Sequence, residues 1–221
     1  MSGETRKRFV LGITGASGAL YARRVLRALL EGGHEVHLAA TPFGARLLHD
    51  ELGIERLDRA GLATLAGLSE ESDPREHGLI GYSARDVGAP VASGSFRHDG
   101  MLIVPCSSHT MNSIAAGTGD TLVTRAAAVS LKERRPLVIA HRESPLTLID
   151  IRAMETLTLA GAIIAPCSPG FYFLPRRVED VVDFVAARLL DLLKVEHSLS
   201  RRWGECGPIV EGIVESDAAG S

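Results

Sequence analysis

Apolar and polar positions along this chain fall into blocks whose lengths separate strands from helices. Phe9 to Ile13, Glu35 to Ala40, Met101 to Val104, Pro136 to Ala140 and Ala162 to Ala165 are short apolar runs that read as buried strands. Between them, apolar residues recur at helical spacing over Ala19–Glu31, Pro42–Leu52, Ser108–Lys132 (broken near Gly117–Gly119), Leu146–Ala160 and Val178–Lys194. Gly32 and Gly33 end the first helix, and a Pro-rich loop from Pro166 to Pro175 precedes the last. The segment 55–99, rich in Gly, Ser and Asp, predicts loops and short elements. Strands that are apolar throughout, alternating with helices, predict an α/β fold: a single domain with a doubly wound, mostly parallel sheet and helices on both faces. Residues 1–7 are expected to be a disordered N-terminus, 8–194 the domain, and 195–221 a tail free to close over a site.

Composition narrows the class. With 221 residues, 45% of them apolar and 23% charged, the chain is an ordinary globular protein able to bury a sizeable core. A net charge of −3 argues against a general nucleic-acid binder. There is no apolar run long enough to span a membrane and no hydrophobic signal core, so a cytoplasmic location is expected. Cys106, Cys167 and Cys206 are too scattered for a disulfide framework or a zinc site, and the histidines lack ligand spacing; no bound metal is expected.

The candidate chemistry sits where strands end. In "SLKERRPLVIAHRESPL" the chain enters an interior strand from Lys132 and leaves it through Arg142 and Glu143. Ligands of open α/β sheets bind just past the carboxyl ends of strands. "GITGASGA" follows the first strand with Gly12, Gly15 and Gly18, which is not the G-x-G-x-x-G fingerprint. A Gly-rich turn into a helix can still offer backbone N–H groups to an anion, or serve only as a tight turn. "PCSSHTMN" opens a second such turn, where Ser107, Ser108, His109 and Thr110 exceed what capping needs. Two such turns suggest one nucleotide lying across the sheet edge. In the last helix Val181, Val185 and Leu192 mark an expected core face, and Arg188 projects from it; a charge there needs an anion or must snorkel. Arg125 and Lys132, seven apart, share one helical stripe. "EDVVD" at 179–183 reads as helix-start charge rather than a magnesium motif.

"TGASGA", "ASGSF", "PCSSHTMNSIA", "TRAAAVSLKERRPLV", "RESPL", "PCSPGFY" and "RRWGE" occur in this order between Arg8 and Glu205. In that series the chain resembles the flavin prenyltransferases of the UbiX type, formerly described as phenolic-acid or 3-octaprenyl-4-hydroxybenzoate decarboxylases. The resemblance implies a Rossmann-like flavoprotein fold. It implies FMN held by Gly15, Ala16, Ser17, Thr41, Ser107, Ser108, His109, Thr110 and Arg142. It further implies dimethylallyl monophosphate held by Tyr172 and Arg188, with Lys132 and Arg142 nearby. Ser17, Glu51, Arg125, Lys132 and Glu143 are the implied catalytic residues, and Trp203 would help close the site. Thr41 stands where serine is common in the family and keeps the hydroxyl.

The implied reaction joins a five-carbon group to N5 and C6 of reduced FMN, displacing phosphate and giving prenylated FMN for a partner decarboxylase. Arg142 and Lys132 would neutralise phosphate charge as the C–O bond breaks, and Glu143 could move a proton to the leaving group. Tyr172, Phe171 and Trp203 could line a dry, aromatic surround. The family forms dodecamers, so a homo-oligomer is implied. Whether the donor is the monophosphate or the diphosphate stays open, although the lack of paired Asp-rich motifs favours the former. Two alternatives remain: an oxidative decarboxylase of peptidyl-cysteine type, for which "TMN" is present but a Met-Trp pair is not, and a non-catalytic FMN carrier.

Overall fold

The computed structural model describes residues 6–199. One parallel sheet holds β1 Arg8–Ile13, β2 Glu35–Ala40, β3 Leu79–Tyr82, β4 Gly100–Cys106, β5 Leu137–His141 and β6 Ile163–Ile164. The helices are α1 Ala19–Glu31, α2 Pro42–Leu52, α3 Arg59–Ala66, α4 Ser108–Ala115, α5 Leu122–Lys132, α6 Leu148–Leu159 and α7 Val178–Leu192. Strand order is β3-β2-β1-β4-β5-β6. The chain moves outward from β1 to β3, returns, and moves outward again from β4 to β6. That reversal opens a crevice between the carboxyl ends of β1 and β4, where doubly wound sheets bind ligands.

Alternation along the strands builds two cores. Phe9, Leu11, Ile13, Leu102 and Val138 meet Leu26 and Leu29 of α1 and Leu189 and Leu190 of α7. Val10, Met101, Ile103 and Ile139 face the other way, onto Val123 and Ala127 of α5 and Leu157 of α6. Burial on both faces is why these strands are apolar throughout. The helices start where small polar residues can accept from their free N–H groups: Thr41, Asp58, Ser107, Thr121 and Thr147 cap α2 to α6.

Segment 55–99 holds short elements among loops, as expected; of these β3 adds a sixth strand to the sheet, while the expectations for Arg188 and Lys132 change. A glycine weakens the strand signal of Leu79–Tyr82, yet packing requires it: a Cβ on Gly81 would stand 2.5 Å from Leu62 Cδ1 of α3. In α7 the buried stripe is Val182, Val185, Ala186, Leu189 and Leu190. Arg188 therefore does not point into a core; its side chain is 62% exposed, 3.3 Å from Asp191. Lys132 ends α5, just before the chain enters β5, and so lies at the amino edge of the sheet. Its side chain is 66% exposed there, 3.4 Å from Glu133. Within one chain, Lys132 is at the opposite edge from Arg142. Among the described residues no helix is long and apolar enough to cross a membrane.

Candidate active site

The crevice is held by a clasp at its base. Thr14, fully buried just past β1, donates through N and Oγ1 to the carbonyl of Pro105 in β4, at 3.2 and 2.9 Å. Its Oγ1 also accepts from Ser107 N at 2.8 Å. The loops after β1 and β4 are thereby tied together. Arg142 adds a third loop: its N donates to the Cys106 carbonyl at 3.0 Å and its Nε to the Ser17 carbonyl at 3.1 Å. The sequence offered no sign of Thr14's role beyond its place beside the glycines.

Of the two turns expected to accept an anion, one is already filled. Glu51, from the end of α2, takes Gly18 N at 3.1 Å and Ala19 N at 2.8 Å, placing a carboxylate on the positive end of α1. The start of α4 is different. Ser107 Oγ accepts from Thr110 N at 3.3 Å and donates to Thr110 Oγ1 at 3.2 Å, while Ser108 Oγ lies 3.0 Å from His141 Nε2. The hydroxyls that exceeded capping needs are therefore spent inside the protein. The N–H groups of Ser108 and His109 have no acceptor among the described residues. This turn fits a phosphate, offering two N–H donors and a helix dipole beside Arg142. Thr41 is buried and accepts from Gly44 N at 3.1 Å, which leaves its own hydroxyl proton to donate. Gly15 and Ser17 form an exposed rim, with Ala16 buried beneath. A Cβ at Gly15 would meet Phe43 Cβ at 2.4 Å, so the turn and α2 touch through that glycine.

Tyr172 and Arg188 come together in a second cleft of about 360 Å³ between β6 and α7, whose walls include Pro166, Ser168 and Phe184. Phe184 meets Tyr172 edge-on with ring centroids 5.4 Å apart, and Phe173 lies 4.4 Å from Tyr172. Phe171 is turned out to solvent, and the rings packed on Tyr172 are those of Phe173 and Phe184. Phe184 and Arg188 are four apart on α7, a spacing visible in the sequence. The two clefts abut through Cys167, whose N donates to the His141 carbonyl at 2.9 Å and whose neighbours line the second cleft. Tyr21 of α1 feels both Arg142 and Cys167, and burial raises its phenol above the ordinary range. Burial likewise raises the Cys106 thiol and pushes Cys167 up to about 12, which suits packing and not nucleophilic attack.

Glu143 is exposed beside Arg142 and accepts from Ser144 N at 3.0 Å. Arg125 is exposed near the start of α5, the end that Leu122 N ties to the carboxyl edge of the sheet by donating to the Ala84 carbonyl at 2.9 Å. Trp203 lies outside the described residues. One chain thus assembles Gly15–Ser17, Thr41, Glu51, Ser107–Thr110, Arg142 and Glu143 along one edge, with Tyr172 and Arg188 adjoining, and leaves Lys132 apart.

Comparison with known proteins follows the same outline. The flavoprotein family model matches residues 2–190. A flavin prenyltransferase UbiX from Thermoplasma acidophilum is 45% identical over 196 residues, covering 89% of this chain and 99% of the relative. AnUbiX, solved in complex with FMN and dimethylallyl pyrophosphate, has a TM-score of 0.79 at 37% identity, covering 90% of this chain and 98% of its own. A dodecameric FMN-dependent UbiX-like decarboxylase from Escherichia coli O157:H7 gives a TM-score of 0.77 at 37% identity, with 89% and 98% covered. With its crevice, its turn of available N–H donors and these likenesses over nearly the whole length, the chain belongs to the flavoprotein family and, within it, to the flavin prenyltransferases.

Proposed function

We propose that the protein joins the five-carbon group of dimethylallyl monophosphate to N5 and C6 of reduced FMN, releasing phosphate and supplying prenylated FMN to a partner decarboxylase. The observation that carries this reading is the pair of abutting clefts, one presenting the Ser108 and His109 N–H groups beside Arg142, the other presenting Tyr172 and Arg188. A carrier of FMN alone would need only the first. A peptidyl-cysteine decarboxylase would need the Met-Trp pair that the sequence lacks.

In this reading the α4 turn and Arg142 hold the flavin phosphate, while Gly15, Ala16, Ser17 and Thr41 line the flavin. Tyr172 and Arg188 hold the donor's phosphate, and the rings of Tyr172, Phe173 and Phe184 exclude water beside the allylic carbon. The lack of paired Asp-rich motifs favours the monophosphate donor. Fixed guanidinium charge stabilises the leaving oxygen as the C–O bond lengthens. Glu143, beside Arg142, delivers the proton to that oxygen. Glu51 and Ser17 act at the flavin rim.

Lys132 belongs to this reading only if another copy of the chain supplies it. Leu148, Ile149, Ile151 and Leu159 of α6 give the chain an exposed apolar face through which copies can meet, and a dodecamer is the assembly proposed. The tail with Trp203 is proposed to close the site. A cytoplasmic location is part of the same reading, tested by fractionating expressing cells. The decisive experiment incubates the protein anaerobically with reduced FMN and dimethylallyl monophosphate and weighs the extracted flavin. A flavin heavier by one five-carbon unit is expected. Unchanged FMN with both the monophosphate and the diphosphate would refute the proposal.

A further inference from the structure

Beneath the α4 turn lies a buried polar chain, of which the α6 capping box of Thr147 and Asp150 accounts for only part. His141, the last residue of β5, is 2% exposed, and its Nε2 lies 3.0 Å from Ser108 Oγ. Asp150 of α6 is equally buried. Its Oδ2 accepts from Thr147 N at 2.9 Å and Thr147 Oγ1 at 2.6 Å, and its Oδ1 from Asn112 Nδ2 at 3.2 Å. The same carboxylate interacts with Ser108 and bears on His141. An aliphatic side chain would end a buried strand at no polar cost; an imidazole must give up hydration.

The groups facing His141 are few. Asp150 faces it from α6 and Ser108 from α4, with Arg142 and Glu143 on its own loop. Cys106 of β4 is its register partner and Cys167 bonds its carbonyl; burial keeps both thiols protonated. Burial holds the imidazole below its ordinary range, with Asp150 and Glu143 opposing and Arg142 adding to the depression. The free protein therefore carries a neutral His141 at neutral pH, with a carboxylate already in place to receive its charge.

An anion on the N–H groups of Ser108 and His109 stands across the Ser108 hydroxyl from this ring. Negative charge at that distance favours the imidazolium. We propose that His141 is a proton-linked positioning residue of the flavin site: occupation of the α4 turn by the flavin phosphate draws a solvent proton onto His141, and Asp150 stabilises the resulting cation. The Ser108 hydroxyl then accepts from Nε2–H and donates to Asp150, which fixes the first residue of α4. The inference rests on the reading of this edge as the FMN site.

The sign follows from linkage. A group whose pKa rises on binding strengthens binding below its free-state value, and that gain disappears as pH rises through the bound-state value. A rise of one unit corresponds to about tenfold in affinity. The phosphate's own titration acts in the opposite direction, so the informative quantity is the difference between two proteins.

The test measures FMN affinity by quenching of flavin fluorescence from about pH 8 to about pH 5, the span over which histidine changes charge, in the full chain and in His141→Gln. Riboflavin, which lacks the phosphate, is the second probe. The unsubstituted protein is expected to gain about tenfold more FMN affinity towards acid than the variant, with no such difference for riboflavin. The His141 imidazole resonance, followed by NMR in the unsubstituted protein, is expected to titrate at higher pH with FMN bound. Equal pH slopes in the two proteins, the same difference with riboflavin, or an unmoved imidazole titration would overturn the proposal. If the variant does not fold, the imidazole titration decides alone. Failure of the unsubstituted protein to bind FMN at any pH would overturn the flavin-site reading itself.

Discussion

Gly44 sets two effects of opposite sign against each other. It lies in the first turn of α2, where alanine is the better helix former by up to about 1 kcal/mol. A Cβ at that position would stand 2.3 Å from the Ile13 carbonyl oxygen, 2.8 Å from its carbon and 3.1 Å from Thr14 Cα. All three are backbone atoms at the end of β1, next to the clasp, and cannot turn aside as a side-chain tip would. Overpacking of this kind costs about 1–3 kcal/mol even where side chains can adjust. The clash wins, and Gly44→Ala is expected to lose about 1–2 kcal/mol net, a fall in Tm of roughly 2–8 °C for a chain of this size. The only other relief is for α2 to withdraw from β1, which would draw Thr41 N from the Ile13 carbonyl, now 2.9 Å away. Flavin affinity is therefore expected to fall along with stability. Thermal unfolding followed by circular dichroism, with an FMN titration on the same samples, measures both. A variant as stable as the parent or more so would show that propensity outweighs the contact and would refute the reasoning.

Two further substitutions probe the site's supports. Asp150→Asn places an amide among three donors, Thr147 N, Thr147 Oγ1 and Asn112 Nδ2, and is expected to cost about 2 kcal/mol in urea unfolding at neutral pH. Hydrogen bonds from Thr147 hold this carboxyl well below the usual range, so its contribution is present above about pH 4 and is lost as pH falls towards the folded value. The variant's acid limb is expected to be flatter, and identical acid limbs would count against it. Arg188→Ala removes an exposed side chain, so stability is expected to stay within about 0.5 kcal/mol. Prenyl transfer is expected to fall by about 10²–10³ with FMN affinity unchanged, and an active variant would remove Arg188 from the site.

The strands and most helices were legible because a parallel sheet covered on both faces leaves nothing polar inside its strands. β1 and β2 and their helices follow directly from that pattern. β3 was not legible, since its glycine serves a contact with α3 that no local pattern reveals. The large apolar Val181 and Leu192 mark one stripe of α7 in the sequence, whereas the buried stripe runs through Val182 and the small Ala186, which leaves Arg188 outside it. Lys132 shows a different limit. A residue just before a strand must lie at the amino edge, which the topology states plainly; a motif list sets it beside Arg142 because the two are near in sequence. The site's hydroxyls were visible as residues, but their partners were not. Ser108 to His141 and Glu51 to Gly18 each join segments that sequence spacing leaves unrelated.

The Thr14 clasp joins loops from separate βα units through three hydrogen bonds made wholly within the chain. A ligand entering the crevice consequently gives up its own freedom without also charging the complex for the ordering of two chain segments, a cost of about 1–2 kcal/mol for every residue that must be fixed. A single buried threonine thus sets aside an entropic penalty that two independent loops would impose on each molecule of flavin bound.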